Sequence, residues 1–239
     1  QRQMCIRDSY KPNLGIVSNP INFIESLKNT IENLSNTNFF KKENNCKNLH
    51  LNYLEWGDQN LLAPNSGVDL TRCIRELKSE IDEKTIITNG AGNYAVWVHR
   101  LFRFTQTQTQ LAPISGSMGY GVPAAIAAKL RFKNSNVIAF AGDGCFQMTH
   151  NEFATAVQFN AGIVVIVIDN EMYGTIRMHQ HKNYQGKYKH TELKNPDFAK
   201  FADAMGGVGI KVDNTNEFID KFKTAKIWSD KNNLPSLLH

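Results

Sequence analysis

The sequence predicts an α/β fold, with a mostly parallel β-sheet and helices on both of its faces. Two short segments rich in β-branched residues, 137–141 and 163–168, lack any alternation of apolar and polar residues, which is typical of strands buried on both faces. Segments with helical spacing separate the strands, and this alternation favours parallel strands joined by helices. Glycine-rich turns follow the strands, at the sheet edge where such folds bind ligands.

The region before the sheet is predicted to be helical in part. Residues 1–10 show no period and are predicted to be non-native or disordered. A helix starts at Pro20 with Asn19 as its cap, because apolar residues then recur every three or four positions until the polar run 35–38 ends the pattern. A second, short helix is predicted through Trp56.

A turn at 63–65 separates this region from the alternating strands and helices. Residues 11–63 are therefore interpreted as the tail of one domain with its linker, and residues 64–239 as a second domain. Capping residues, glycines and prolines bound the elements of the second domain. Its predicted elements are a helix at 70–81, a strand at 85–88, a helix from Pro123 to Leu130, the strand at 137–141, a helix to Asn160 that begins with a capping box of Thr149 and Glu152, the strand at 163–168, a helix from 173–174, a helix between 195–197 and 206–207, and a last strand from Pro235.

Composition and charge exclude several classes of protein. The chain has 239 residues, of which 41% are hydrophobic and 21% charged, as in globular domains rather than disordered or coiled-coil chains. The net charge of +5 is scattered, and no basic stripe interleaves with aromatic residues, so no nucleic-acid partner is predicted. The longest apolar run, 161–168, is shorter than the ~20 residues that span a bilayer. With no signal peptide or CxxC pair, the chain is predicted to be cytoplasmic, with free thiols and no membrane partner.

Polar residues follow the two apolar strands at the points where each strand ends. Asp143, between Gly142 and Gly144, follows the first strand, and Asn170 follows the second, 27 residues later. One strand–helix–strand crossover spans such a distance, so both side chains are expected at the same edge of the sheet. Carboxylate and amide oxygens suit Mg²⁺, which completes its shell with phosphate oxygens and water. A helix that starts near Gly174 would direct its positive end to the same anion. Without Asn170, the Gly-Asp-Gly sequence would indicate only a turn.

Four motifs, in order along the chain, carry a resemblance to a known family. They are TNGAGNY at 88–94, GSMGYGVPAA at 116–125, GDG at 142–144 with Asn170, and YGTIRMHQ at 173–180. Together they resemble thiamine diphosphate-dependent enzymes, and the acetolactate synthase-like group in particular. The resemblance covers about residues 64–239, the carboxyl-terminal diphosphate-binding domain. It implies that residues 11–63 are a short helical remnant of the family's central domain and its linker.

The resemblance also implies a role for each matching residue. Asp143, the side chain of Asn170 and the backbone carbonyl of Met172 would ligate Mg²⁺. Met118 would hold the cofactor in a bent shape, and the carbonyl of Gly116 would accept a hydrogen bond from its pyrimidine amino group. These two are the predicted catalytic residues. The predicted cofactor-binding residues are Asn93, Tyr94, Gly116, Met118, Gly142, Gly144, Cys145, Tyr173 and Gly174.

Several of these positions need separate interpretation. Asp169 stands where many relatives have Asn, and it adds a negative charge beside the predicted metal. Cys145 stands where relatives have small residues, so packing is favoured over a nucleophilic thiol. Met118 is the family's wedge unless it merely fills the core. The His-x-His pair at 179–181 lies in a segment, 179–191, that is interpreted as a solvated loop over the cofactor rather than a zinc site.

The implied reaction is decarboxylation of a 2-oxo acid, followed by transfer of the resulting carbanion to a carbonyl acceptor, with thiamine diphosphate and Mg²⁺ as cofactors. Another 2-oxo acid decarboxylase or carboligase of the superfamily, and a non-catalytic module that binds a phosphate ligand, stay open as alternatives. A dinucleotide-binding dehydrogenase is not supported, since no GxGxxG opens a helix directly after the first strand. FAD binding is left open. The expected partners are the small-molecule 2-oxo acid and further copies of the chain, in a homodimer or homotetramer.

The family further requires a glutamate from an amino-terminal pyrimidine-binding domain, usually of another subunit. No such domain precedes the residues that carry the resemblance, and the chain stops shortly after Pro235, where the last strand is predicted to begin. We therefore expect a fragment of a longer enzyme that is inactive alone.

Overall fold

The computed structural model describes residues 13–33, 43–59, 63–104 and 109–239. The chain divides into two compact units, Gln1–Leu54 and Glu55–His239. The predictions for residues 1–10 and for the polar run 35–38 lie outside the described residues. The assignment of residues 11–63 to a central domain and its linker stays a prediction.

Two helices precede the sheet. Helix α1 spans Pro20–Asn33, and the side chain of Asn19 accepts a hydrogen bond from the Ile21 N–H at 2.9 Å, so the predicted cap is confirmed. Helix α2 spans Glu43–Asp58 and is longer than the short helix predicted. The reason is local, because no glycine or proline interrupts it before Gly57.

The second unit alternates helices and strands. In chain order its elements are α3 (Leu70–Glu80), β1 (Ile86–Asn89), α4 (Tyr94–Leu101), β2 (Gln110–Leu111), α5 (Gly121–Arg131), β3 (Val137–Gly142), α6 (Asp143–Gln147), α7 (Glu152–Gln158), β4 (Val164–Ile168), α8 (Gly174–Asn183), α9 (Phe198–Ala204), β5 (Val208–Ile210), a 3-10 turn (Thr215–Glu217), α10 (Phe218–Asn232) and β6 (Ser236–Leu238). The last strand therefore begins where the sequence predicts it.

The described strands form one six-stranded sheet in the order β2-β1-β3-β4-β6-β5. Every neighbouring pair is parallel, so the predicted α/β class is confirmed. Strands β3 and β4 are adjacent, and Gly142 at the end of β3 is in register with Ile168 at the end of β4. This register places the residues that follow both strands at one edge of the sheet.

Two apolar clusters cover the two faces of the sheet, and successive strand residues enter them in turn. Along β4, Val164 and Ile166 join the cluster packed by α3, α4 and α10, while Val165 and Val167 join the cluster packed by α5, α7 and α9. Apolar side chains are required on both faces, which explains why these strands show no alternation. Phe102 belongs to the first cluster, against which Trp97 and Phe104 pack.

The predicted capping box at the start of α7 is wrong. The Thr149 hydroxyl donates to the Gly119 carbonyl at 2.7 Å, and the Glu152 carboxylate accepts from the Thr155 hydroxyl at 2.8 Å. Helix α7 has Asn151 at its N-cap, without a side-chain cap. Thr149 is therefore engaged by a distant turn rather than by its own helix.

The interpretation of residues 179–191 as a loop is wrong in its first part, because α8 continues to Asn183. No glycine or proline occurs between Gly174 and Gly186 to end the helix earlier. The prediction for the next helix is confirmed, since the Asp197 side chain caps α9 by accepting from the Lys200 N–H at 3.1 Å. Among the described residues, no helix is both long and apolar enough to cross a membrane.

Candidate functional site

A cavity of about 250 Å³ opens at the carboxyl ends of β1, β3 and β4. Every residue predicted for the site lines this one cavity, although the predicted roles are not tested by that placement. The predicted residues are Asn93, Tyr94, Gly116, Met118, Gly142, Asp143, Gly144, Cys145, Asn170, Met172, Tyr173 and Gly174. The cavity also contacts residues that the sequence analysis did not single out, namely Ala91, Gly92, Ile168, Thr175 and Ile176.

Asp143 lies at the start of α6, directly after β3, and its side chain is buried. Its Oδ2 accepts a hydrogen bond from the Asn195 amide at 2.8 Å. Burial raises the pKa of Asp143, and the hydrogen bonds from Asn195 and from the Gly144 N–H only partly offset that effect. No Lys, Arg or His within the described ranges forms an ion pair with Asp143. A cation in the cavity would therefore stabilise the charged carboxylate.

The loop that follows β4 presents Asn170 and Met172 to the same cavity. The Asn170 Oδ1 accepts from the Met172 N–H at 3.3 Å, and Glu171 between them has a left-handed φ of 52°. The Met172 carbonyl accepts from the Gly174 N–H at 2.9 Å. The predicted metal-ligating carbonyl is thus bonded to the N–H of Gly174, a predicted cofactor-binding residue, and the carbonyl keeps a second lone pair for another contact.

Two of the predicted glycines have close packing neighbours. A Cβ at Gly144 would lie 2.6 Å from Cε1 of Tyr173, and a Cβ at Gly142 would lie 2.9 Å from Cδ1 of Tyr94. Side chains at these positions would push aromatic rings of the cavity wall. Both glycines are predicted cofactor-binding residues, and the structure adds this steric requirement.

Tyr94 and Cys145 are buried and connect three parts of the wall. The Tyr94 hydroxyl lies 3.4 Å from the Cys145 Sγ, and this sulfur accepts from the Gly119 N–H at 3.1 Å. Burial raises the pKa of Tyr94 well above its usual range, and the nearby Cys145 adds to the effect. Tyr94 therefore acts as a neutral packing group here, and the burial of Cys145 agrees with its interpretation as a packed residue.

Met118 stands on the turn between Gly116 and Gly119, both of which have a positive φ, of 68° and 81°. Its side chain is 39% exposed and lines the cavity. It belongs to neither apolar cluster, so the interpretation of Met118 as core filler is wrong. A residue in this place contacts whatever occupies the cavity.

Asn195 was not predicted to belong to the site, and Asp169 contributes more to it than the sequence indicated. The Asn195 Nδ2 donates to Asp143 Oδ2 at 2.8 Å and to Asp169 Oδ1 at 2.7 Å. Burial acts to raise the pKa of Asp169, but hydrogen bonds from His239, from the Glu171 N–H and from Asn195 outweigh it and leave the pKa lowered. The Asn-Pro-Asp sequence at 195–197 was interpreted only as a helix start, and no sequence signal joins Asn195 to Asp143.

Metal binding at this cavity would have to use mixed oxygen donors. Within the part of the chain that the structure describes, no group of three or more His, Cys, Asp or Glu side chains is arranged to hold a metal ion. The cavity instead offers the Asp143 carboxylate, the Asn170 amide oxygen and backbone carbonyls beside apolar surface from Met118 and Ile176. This donor set is suited to a hard cation that takes further oxygens from a phosphate ligand.

A protein-family model supplies the identification. The model described as "Thiamine pyrophosphate enzyme, C-terminal TPP binding domain" matches residues 90–239. The chain belongs to this family. Thiamine pyrophosphate is another name for thiamine diphosphate, so the resemblance stated from the motifs is confirmed.

Members of the family similar to this chain include acetolactate synthases. The chain is 39% identical over 166 residues to the mitochondrial acetolactate synthase catalytic subunit of Aspergillus candidus, covering 69% of this chain and 23% of that protein. It is 34% identical over 164 residues to the acetolactate synthase large subunit of Corynebacterium glutamicum, covering 66% and 26%. The chain thus spans about a quarter of the length of these relatives.

Solved structures agree with the fold. The benzoylformate decarboxylase of Polynucleobacter necessarius superposes with a TM-score of 0.64 at 21% identity, covering 70% of this chain and 32% of that one. This thiamine pyrophosphate-binding domain therefore has the α/β fold of such enzymes. The predicted cytoplasmic location stays a prediction, since the similar acetolactate synthases include mitochondrial as well as bacterial proteins.

Proposed function

We propose that the chain binds thiamine diphosphate through Mg²⁺ in this cavity, as the carboxyl-terminal part of an acetolactate synthase-like enzyme. The observation that carries the proposal is the convergence of Asp143 and Asn170, from the ends of two adjacent strands, on one cavity beside the N-terminus of α8. A ten-residue helix offers its positive end to an anion there. The whole enzyme would decarboxylate a 2-oxo acid and transfer the product carbanion to a carbonyl acceptor.

The residues fit the cofactor by the chemistry of their donors. Asp143, Asn170 and the Met172 carbonyl would hold Mg²⁺, while the backbone at Gly144, Cys145 and Gly174 would approach the diphosphate. When bound, thiamine diphosphate supplies the carbanion and the electron sink of the reaction. The protein's contribution is to bind and orient the cofactor.

Other residues would act on the organic part of the cofactor. The exposed Met118 side chain would pack against it, and the Gly116 carbonyl would accept from its amino group. Tyr94 would contribute its ring to the wall that the cofactor contacts, since its hydroxyl is turned to Cys145. The Asn93 Oδ1 accepts from the Thr175 hydroxyl at 2.9 Å, which ties the turn after β1 to the start of α8.

The acetolactate synthase relatives favour carboligation over simple decarboxylation as the outcome. We propose on the same basis a small 2-oxo acid as substrate and a homodimer or homotetramer as the assembly. A phosphate-binding module without catalysis would leave the exposed Met118 without a role.

Calorimetric titration of this chain with thiamine diphosphate tests the proposal. We expect binding in the presence of Mg²⁺, none in EDTA, and at least a tenfold loss of affinity in Asp143→Ala, because the buried carboxylate is the charged metal ligand. Asp220→Ala is the matched control, since Asp220 is also an acidic residue in the first turn of a helix, and it should bind as the unaltered chain does. Binding that persists in EDTA or in Asp143→Ala would contradict the metal assignment.

A further inference from the structure

We propose that Asn195 is a positioning residue that holds the Asp143 carboxylate ready for Mg²⁺; this inference rests on the proposed function. The Asn195 Nδ2 donates two hydrogen bonds, one to Asp143 Oδ2 at 2.8 Å and one to Asp169 Oδ1 at 2.7 Å. Asn195 itself is not among the residues that line the cavity. It therefore acts through Asp143 rather than on a ligand.

The two carboxylates set the orientation of the Asn195 amide, and its third partner agrees with that orientation. Its Oδ1 accepts from the Gln147 Nε2 at 2.7 Å. If the Asn195 amide were flipped, its oxygen would face two carboxylates, which cannot donate a hydrogen bond when ionised. Its nitrogen would face the donating Nε2 of Gln147. Gln147 lies at the other end of α6 from Asp143, so the helix that carries the carboxylate also carries the group that orients its donor.

The backbone that carries Asn195 is attached to the loop after β4. The Tyr173 N–H donates to the Thr191 carbonyl and the Leu193 N–H donates to the Glu171 carbonyl, both at 2.8 Å. Met172 and Glu192 between them form an antiparallel bridge. This pairing fixes residues 191–193 against the loop that presents the predicted metal ligands, and Asn195 follows two residues later.

An amide suits this position because it donates without adding charge. Asp143 and Asp169 share the donor, so their negative charges lie close together and repel each other. A lysine here would pair with the carboxylates and compete with a metal ion. Asn195 satisfies one oxygen of each carboxylate and leaves the negative charge of Asp143 for the cation. Mutation of a residue that hydrogen-bonds a metal ligand in this way typically lowers metal affinity by about 10–100-fold.

The test measures Mg²⁺ affinity separately from thiamine diphosphate affinity. Calorimetric titrations of the 239-residue chain with thiamine diphosphate, at a series of free Mg²⁺ concentrations, give the Mg²⁺ concentration for half-maximal binding. We expect Asn195→Ala to raise that concentration about 10–100-fold, with diphosphate affinity restored at saturating Mg²⁺. Gln147→Ala should raise the half-maximal Mg²⁺ concentration less than Asn195→Ala does, because it removes only the hydrogen bond to the Asn195 Oδ1 and leaves the Asn195 amide in place.

Asn214→Ala is the control, since the Asn214 side chain also forms a hydrogen bond in the folded chain, accepting from the Glu217 N–H at 3.3 Å, but contacts neither carboxylate. Its Mg²⁺ requirement should equal that of the unaltered chain. An unchanged Mg²⁺ requirement in folded Asn195→Ala would overturn the inference while leaving the proposed function intact. If Asn195→Ala does not fold, an unchanged requirement in Gln147→Ala overturns it. Failure of the unaltered chain to bind thiamine diphosphate with Mg²⁺ would instead reject the proposed function.

Discussion

Asp143 and Asp169 are two carboxylates at one edge of the sheet with different surroundings. Asp169 has three kinds of donor, namely His239 at 3.0 Å, the Glu171 N–H at 2.9 Å and the Asn195 amide at 2.7 Å. Burial raises the pKa of Asp143, whereas hydrogen bonds overcome burial and lower the pKa of Asp169. Asp143 is thus the carboxylate whose charge is less well stabilised by the protein, and it is the one that faces the cavity.

At the same scale, Gly144 is a position where one methyl group should matter. A Cβ there would lie 2.6 Å from Tyr173 Cε1 and 3.3 Å from Leu193 Cδ1, so Gly144→Ala must displace the Tyr173 ring. We expect a loss of about 1–3 kcal/mol in unfolding free energy, typical of overpacking, together with weaker thiamine diphosphate binding. Urea unfolding and calorimetry measure the two effects.

The double variant Gly144→Ala with Tyr173→Ala provides the control for that change. It removes the ring that the new methyl group meets. Its loss of unfolding free energy should therefore be smaller than the sum of the losses in the two single variants, Tyr173→Ala and Gly144→Ala. Wild-type stability and affinity in Gly144→Ala alone would show that the site relaxes freely and that the steric argument is wrong.

Among the elements, α8 contributes mainly through its first turn. None of its side chains is buried, and Ile176 and Met178 are 54% and 49% exposed. Its start is held by the Tyr173 N–H, which bonds the Thr191 carbonyl, and by the Thr175 hydroxyl, which bonds Asn93. The N-terminus that would meet an anion is therefore positioned by backbone pairing rather than by burial of the helix.

Helix α3 shows how a cap stabilises an element that is remote from the cavity. The Asp69 carboxylate accepts from the N–H groups of Thr71 and Arg72, at 3.0 and 3.2 Å. We expect Asp69→Ala to lower the unfolding free energy by about 1 kcal/mol, and Asp69→Ser to retain most of it because a hydroxyl oxygen also caps. Chemical unfolding measures both; equal losses in the two variants would mean that the carboxylate stabilises α3 in some way other than capping.

In the molecule as a whole, the parallel register is what assembles the site. Strands β1, β3 and β4 are neighbours and run in one direction, so the turns that follow them reach the same edge. Apolar clusters on both faces hold that register, because slipping one strand by a residue would exchange its two buried faces. The cavity is thus a consequence of strand order and of core packing on both sides.

The stability of that core is expected to depend on pH through Cys73. The thiol is buried in the cluster that covers one face of the sheet, and burial raises its pKa from 9.0 to about 12. Between pH 9 and about pH 12, Cys73 is deprotonated in the unfolded chain but keeps its proton in the folded chain. Deprotonation therefore stabilises the unfolded chain increasingly as the pH rises above 9. We expect the unfolding free energy to fall through this window.

Cys73→Ala isolates this effect from other titrating groups. The variant loses packing at every pH, so the informative quantity is the difference in unfolding free energy between the two proteins. That difference should be constant below pH 9 and should shrink as the pH rises toward about 12. A difference that stays constant over the whole range would show that the thiol ionises equally in both states.

Much of the fold and site followed from local pattern. The unalternated strands, the helix starts at Pro20 and Gly174, and the placement of Asp143 and Asn170 all depend on residues near in sequence or on the regular rule that parallel strand ends meet at one edge. Burial on two faces dictates which residue types a strand contains. Those parts were predictable because burial and strand direction restrict which residue types occur at neighbouring positions in the sequence.

Other features were decided by the tertiary structure alone. Thr149 bonds a carbonyl 30 residues away rather than capping its own helix, and Asn195 donates to a carboxylate 52 residues away. Nothing in the sequence near either residue points to these distant partners. Folding brings several donors and acceptors within reach at once, and the pairing that satisfies the most buried groups prevails.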